Sequence, residues 1–184
     1  MLVAAILMKV AAPSFGNWIG NQRIRSTAEA VLYGLNTART EALRRNARVL
    51  FSMAGANGGQ SAWSVCQVVA AGVVCDAAVP VIQARDGGEE SGNARIGAST
   101  DLTLVAAGAF GTAIGAGAGV PVAVMFDGRG RVMAADGWAN TVRIDVRDTG
   151  LAAADERRMV VVINASGSAR MCDPLAVVGN PRAC

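Results

Sequence analysis

The N-terminal quarter of the chain limits the choice of fold more than any other part. An apolar run, residues 1–12, leads through Pro13 into a segment in which apolar residues recur every three or four positions. This spacing predicts an amphipathic α-helix with one broad apolar face. Its apolar positions are Phe15, Trp18, Ile19, Ile24, Ala28, Val31, Leu32, Leu35, Ala38, Ala42 and Leu43. We therefore expect one continuous N-terminal helix, with a kink at Pro13.

The apolar run is too short to cross a bilayer by itself. A helix of twelve residues covers roughly 18 Å, whereas the hydrocarbon core of a bilayer is about 30 Å thick. A signal peptide would start with basic residues and end at a small-residue cleavage site, and neither is in place. We expect Met1 to be a truncation or a late start of a longer anchor. The alternative is that the run is a buried helix of a soluble protein.

The residue types of the chain limit its chemistry. It has no histidine, which excludes Ser-His and Cys-His nucleophile pairs and the HExxH zinc site. Its only lysine is Lys9 in the apolar run, so a Ser-Lys dyad in the rest of the chain is excluded too. Paired carboxylates such as Asp145 and Asp148 lie among alternating residues, and we expect them on an outer face. The sequence therefore predicts no enzyme, no cofactor and no metal site.

Charge is distributed unevenly along the chain. Residues 1–48 carry seven basic and two acidic side chains, residues 49–156 carry six and eleven, and residues 157–184 carry four and one. The helix and the tail are thus positive and the middle is negative. Every basic residue except Lys9 is arginine, a residue suited to phosphate recognition. The abundance of Ala, Gly and Val favours codon bias as the reason for this preference.

After Arg48 the period of the apolar pattern changes to two, which is typical of β-strands. A helix followed by antiparallel strands predicts an α+β fold. We expect two parts, the helix at residues 1–48, with the anchor at 1–20, and a β-rich head at residues 49–184. The expected strands are residues 49–53, 62–69 with 73–75 as a candidate partner, 79–84, 101–106, 121–126, 141–146 and 158–163.

The four cysteines fall into two local pairs. Cys66 and Cys75 have the spacing of a hairpin, and Cys172 and Cys184 bracket a loop that contains Pro and Gly. Three connectivities exist, and we favour the two local bonds because each closes a small loop, a gain of about 2–3 kcal/mol in the chain-entropy model. Oxidised bonds would place the head outside the cytoplasm. The alternative is four reduced core cysteines in a cytosolic protein.

In combination these features resemble the GspH/FimT family of type IV minor pilins and type II secretion pseudopilins. The resemblance covers nearly the whole chain and is weakest between residues 77 and 119. The matching segments are the end of the apolar run at 11–15, the helix end at 38–46, Trp63-Ser64-Val65 on an early strand, Phe126-Asp127-Gly128-Arg129, and the last long strand with its turn at 158–167.

The resemblance implies a pilin fold. The first half of such a helix anchors in the inner membrane as a single pass and later packs in the filament core, and the second half lies on a β-sheet head in the periplasm. The family is made as a prepilin that prepilin peptidase cuts, and it carries a glutamate near the mature N terminus. This sequence has neither the leader nor that glutamate, which fits the expected truncation.

The same resemblance implies the partners, which are other minor and major pilins at a filament tip and the inner membrane. Pro13, Phe15, Trp18 and Ile19 form the expected assembly face of the helix. Type IV pilins commonly have a disulfide near the C terminus, whereas secretion pseudopilins of the H type often lack one. The pair of cysteines in the tail therefore favours a minor pilin that helps initiate or cap a pilus over a secretion pseudopilin.

Some FimT-like members bind DNA during natural transformation through a Gly-Arg-x-Arg motif near the C terminus. This chain has Gly167-Ser168-Ala169-Arg170 at that place, so one of the two arginines is missing. A literal match, residues 128–131, lies in an earlier turn. A few arginines without aromatic stacking partners give little affinity, so we expect weak DNA binding at best. The candidate DNA contacts are Arg129, Arg131, Arg170 and Arg182.

Overall fold

The structure, a computed structural model, describes residues 2–53, 62–68, 75, 79–86, 93–99, 123–133, 142–177 and 179–184, with the backbone alone at residues 2–14 and 99. In these ranges one long helix precedes a series of short strands. The elements are α1 (Leu2–Arg45), β1 (Val49–Ser52), β2 (Trp63–Gln67), β3 (Val81–Arg85), β4 (Ala94–Ser99), β5 (Ala123–Phe126), β6 (Val132–Met133), β7 (Arg143–Asp148), β8 (Met159–Ile163) and β9 (Ala169–Cys172).

Helix α1 has 44 residues and is therefore about 66 Å long. Its helical backbone continues through Pro13. It ends at Arg45 and is followed by Asn46, whose φ of 46° is in the left-handed region that asparagine tolerates better than most residues. The amide of Ala47 donates to the carbonyl of Ala42 at 3.2 Å and so closes the last turn. Over the described residues, α1 contains no stretch that is both long enough and apolar enough to span a bilayer.

The C-terminal end of α1 should respond to acid through one carboxylate. Glu41 accepts hydrogen bonds of 2.7 Å from Arg44 Nη2 and Arg45 Nε. Arg44 first and Arg45 second lower the pKa of Glu41 from 4.5 to about 2. Since this pKa is depressed on folding, the stabilisation is fully present above pH 4.5 and is lost as the pH falls toward 2. NMR titration of the Glu41 carboxyl checks this, and a midpoint near the ordinary value would contradict it.

The strands form two antiparallel sheets that share α1. One sheet has the order β3-β2-β1-β5-β6, and the other has the order β4-β7-β8-β9. In the first sheet Phe51 pairs with Val65 on one side and with Val124 on the other. In the second sheet Ile144 pairs with Ala98 and Val161. The side of α1 that packs on these sheets supplies Ile24, Ala28, Val31, Leu35, Ala38 and Ala42 to the core.

The helix lies directly against the first sheet at Gly34. A Cβ atom at this position would lie 2.7 Å from the ring of Phe51 and 3.1 Å from the indole of Trp63. The absence of a side chain therefore lets these two rings, whose centroids are 5.8 Å apart, pack directly under the helix. Both rings are fully or almost fully buried, so they contribute heavily to the burial that holds α1 on the head.

A second contact joins α1 to the ends of both sheets. Arg39 Nε donates to the carbonyl of Gly130 at 3.1 Å, and its Nη2 reaches the carbonyl of Ser166 at 3.5 Å. We call the two turns involved, residues 127–130 after β5 and 164–167 after β8, the turn junction. Gly130 and Gly167 have φ values of 73° and 82°, and a Cβ on Gly167 would overlap the carbonyl oxygen of Gly130. The junction therefore requires glycine there.

The α+β fold expected from the sequence is confirmed, and so are five of the strand regions, which became β1, β2, β5, β7 and β8. The region expected at 79–84 is also found, as β3, which starts two residues later and pairs with β2, and β7 likewise starts two residues after the expected 141–146. The strand expected at 101–106 and residues 73 and 74 of the candidate partner lie outside the described residues. Strands β4, β6 and β9 were not expected.

The expectation that Asp145 and Asp148 face outwards is wrong, because both side chains are buried. Asp145 pairs with the equally buried Arg143, whose Nη2 lies 2.7 Å from Asp145 Oδ1. Asp148 Oδ1 accepts from the amide of Gly150 at 2.7 Å. Alternation of polar and apolar residues normally indicates one exposed face, but here the polar residues are paired inside the protein. Both carboxylates therefore make structural contacts inside the head.

Candidate functional site

The side of α1 that faces away from the head carries exposed aromatic rings. Phe15 is 62% exposed, Trp18 57% and Tyr33 57%. Phe15 and Tyr33 are separated by 18 residues, which is five helical turns, so they lie on the same side. The rings of Phe15 and Trp18 stack on each other with centroids 5.8 Å apart. We call Phe15, Trp18 and Tyr33 the outward stripe.

The expected assembly face is only partly the same as this stripe. Phe15 and Trp18 are exposed as such a face requires, whereas Ile19 is half-buried. Pro13 lies in the helical backbone, and its side chain is outside the described part of the chain. Tyr33 was missed, although its distance from Phe15 in the sequence carries the signal. Large exposed apolar side chains in a row are typical of interaction surfaces.

A groove with a volume of about 790 Å³ opens beside the N-terminal half of the described helix. Three parts of the chain meet there: α1, the loop at residues 152–158, and the C-terminal loop after β9. Met159 and Met171 are half-buried and form its floor. The residues of the walls that matter below are Trp18, Asn21, Arg25, Asp155, Arg157, Arg158, Asp173 and Arg182.

The loop at residues 152–158 is fixed to the helix and to the second sheet. Asn21 Oδ1 accepts from the amide of Arg157 at 2.7 Å, and Asn21 Nδ2 donates to the carbonyl of Asp155 at 2.9 Å. The buried carboxylate of Glu156 accepts from the amide of Asp148 at 3.0 Å and from Arg158 Nε at 3.2 Å. This wall of the groove is therefore preformed.

The other wall, the C-terminal loop, is closed by the disulfide between Cys172 and Cys184. The amide of Asp173 donates to the carbonyl of Arg182 at 2.6 Å. Arg170 reaches across from β9, with Nη1 3.2 Å from the carbonyl of Ala183 and Nη2 3.4 Å from that of Cys184. The guanidinium of Arg170 thus holds the loop in place.

All four cysteines are in the two local bonds that the spacing favoured. Cys66 lies on β2, on the face of the first sheet that points away from α1, together with Leu50 and Met125. Cys75 packs against this cluster and is half-buried. Among the described residues, no three His, Cys, Asp or Glu side chains are placed to hold a metal ion.

The four candidate DNA contacts do not form one surface. Arg129 and Arg131 lie at the turn junction, where Asp127 Oδ2 is 3.1 Å from Arg131 Nη2. Hydrogen bonds, the largest from the backbone of Arg131, lower the pKa of Asp127. Arg170 lies on β9 and contacts the C-terminal loop, to which Arg182 belongs. The junction contacts α1 at Arg39 and the groove contacts it at Arg25, so the two groups are roughly 20 Å apart along the helix.

Comparison with known proteins gives the same architecture. A family model described as type II transport protein GspH matches residues 27–167. A crystal structure of the type IV minor pilin FimU of Pseudomonas aeruginosa is similar, with a TM-score of 0.52, 14% identity, and coverage of 82% of this chain and 88% of FimU. A second crystal form of FimU has a TM-score of 0.48 at 14% identity, with 80% and 90% covered. No curated protein sequence matches the chain.

Proposed function

Because the chain belongs to the GspH family of pilin-like proteins, we propose that it is a non-enzymatic minor pilin that helps initiate or cap a type IV pilus. The observation that carries this proposal is the outward stripe of α1. The inner side of α1 is already buried on the head. The outward side is therefore the part of the helix that is left for other subunits. Burying a large apolar side chain contributes about 1.5–3 kcal/mol. The stripe offers three such side chains, which are Phe15, Trp18 and Tyr33.

The partners in this proposal are other minor and major pilins, whose helices pack against the outward stripe. Before assembly, the N-terminal part of α1 anchors the subunit in the inner membrane as a single pass, after prepilin peptidase has processed a longer precursor. The head then lies in the periplasm. Two disulfides support this location, because such bonds persist in oxidising compartments.

The main alternative is a pseudopilin H of a type II secretion system, which the description of the family model favours. The Cys172–Cys184 bond supports the pilus instead, since the resemblance associates a C-terminal bond with type IV pilins. A deletion strain distinguishes the two, because deletion of a minor pilin causes loss of surface pili, whereas deletion of a pseudopilin causes loss of protein secretion. Normal pili with lost DNA uptake would instead support a FimT-like DNA-binding pilin.

The stripe itself is tested by the double substitution Phe15→Ala/Trp18→Ala in the complemented deletion strain. Surface pili should be lost as in the deletion, since a buried aromatic anchor at an interface is commonly worth about 2 kcal/mol or more. Alanine keeps the helix and adds no charge near the membrane. Leu175→Ala, which removes an exposed apolar side chain from the C-terminal loop, is the control and should leave piliation normal. Normal piliation by the double variant at equal protein level would contradict the proposal.

A further inference from the structure

The groove presents charges of both signs, because four arginines and two aspartates line it. The partners that these side chains have within the protein decide which of the charges are left for a ligand. The charged lining residues are Arg25, Arg157, Arg158, Arg182, Asp155 and Asp173.

Two of the arginines already have carboxylate partners. Arg25 pairs with Glu29 at 2.9 Å along the helix, and Arg158 pairs with the buried Glu156 at 3.2 Å. Their charges are therefore largely compensated within the protein. They form the sides of the groove and are not the groups that a ligand would neutralise.

The other two arginines, Arg157 and Arg182, have exposed side chains, and no described residue pairs with either guanidinium group. Their backbones are nevertheless fixed. The amide of Arg157 donates to Asn21 Oδ1 at 2.7 Å, and the amide of Arg182 donates to Asn180 Oδ1 at 2.9 Å. The disulfide of the C-terminal loop restrains Arg182 further. A ligand that binds both cations therefore meets a site whose main chain is preorganised.

The groove also has an apolar part between the charges. Met159 and Met171 form the floor, and Trp18 stands at the edge as a member of the outward stripe. A volume of about 790 Å³ is in the range of sites that bind small molecules or a few side chains. The combination of two cations with an apolar floor suits a ligand that presents both acidic and aliphatic groups.

We propose that this groove binds a short acidic segment of a neighbouring filament subunit, with carboxylates on Arg157 and Arg182 and an aliphatic side chain on the methionines. Only the source of the segment rests on the proposed function. A peptide fits better than a nucleic acid because Asp155 and Asp173 also line the walls. These carboxylates repel a continuous line of phosphates, whereas a peptide can turn its backbone N–H groups toward them.

The test uses the 184-residue chain in non-ionic detergent and three fluorescein-labelled probes: a peptide of alternating Glu and Leu, its Gln analogue, and a short single-stranded oligonucleotide. The Glu peptide should bind and the Gln peptide should not. The variant Arg157→Gln/Arg182→Gln should weaken binding of the Glu peptide about tenfold at low salt, the effect of two exposed ion pairs. The difference should shrink in about 0.5 M salt.

The matched control is Arg48→Gln/Arg129→Gln, which removes two exposed arginines outside the groove and should change affinity less than about twofold. An equal loss in the control would show general attraction by positive charge and would overturn the proposal. Equal binding of the Glu peptide to the groove variant and to the unchanged protein would also overturn it. The same holds if the oligonucleotide binds more tightly than the Glu peptide and depends on the same two arginines. Because the assay needs no filament, these outcomes are separate from the piliation test.

Discussion

Replacing Gly167 by alanine is expected to destabilise the protein by about 3 kcal/mol or more. The residue has a φ of 82°, which is unfavourable for alanine. The added Cβ would overlap the carbonyl oxygen of Gly130 and lie 3.3 Å from Arg39 Nε. Since the obstacle is backbone, and Gly130 itself has a positive φ, neither turn can move aside without breaking the turn junction.

Urea or thermal unfolding measures this effect, and Gly179→Ala is the matched control. Gly179 also has a positive φ, 95°, but a Cβ there would meet nothing within 4 Å. Its replacement should cost about 1–2 kcal/mol from the backbone alone. Equal losses in the two variants would mean that the contact with Gly130 is unimportant. If the Gly167 variant fails to fold while the control folds, the expected difference is met.

The second large effect is expected at the buried ion pair on β7. Arg143 donates to Asp145 from Nε at 2.9 Å and from Nη2 at 2.7 Å, and both side chains are almost fully buried. Asp145→Ala should therefore cost about 3–5 kcal/mol, because it leaves a buried guanidinium without this carboxylate. Arg143→Met/Asp145→Leu removes both charges and should recover most of the loss.

Unfolding of the single and double variants gives the comparison directly. Glu29→Ala is the control, since it breaks an ion pair with Arg25 that is exposed on the helix and should cost less than about 1 kcal/mol. A double variant as unstable as Asp145→Ala would show that the loss comes from packing and not from the unpaired charge.

Much of the helix could be predicted from the sequence, because its signal is local. The buried positions Ile24, Ala28, Val31 and Leu35 repeat at helical spacing. This spacing does not depend on which part of the chain packs against the helix. The local disulfides were accessible for a similar reason, since each closes a short loop. Strand β6, with two residues, is too short to show any period.

The burial of Asp145 could not be predicted in this way. Asp145 alternates with Ile144 and Val146, as in a strand that has one solvent-exposed face. Whether the second face is covered depends on parts of the chain that are distant in sequence, and the strand itself has no information about them. Arg143, only two residues away, was the one local hint, because an opposite charge on the same face can make burial tolerable.

The groove depends even more on distant contacts. Asn21 and Asp155, whose hydrogen bond positions one wall, are separated by 134 residues. The sequence showed that the tail and the helix were both rich in arginine, but not that Arg157 and Arg182 would face the same space. It also placed Arg170 among the candidate DNA contacts, whereas in the structure its guanidinium is engaged with the carbonyls of the C-terminal loop.

The position of Arg39 has a mechanical consequence. The guanidinium of Arg39 contacts two turns, one connecting β5 to β6 in the first sheet and the other connecting β8 to β9 in the second sheet. A pulling force along the axis of α1 therefore reaches both sheets through this side chain, in addition to the load carried by the apolar face. Sliding of one sheet past the other would strain the hydrogen bonds to Arg39, so this contact couples the two sheets mechanically.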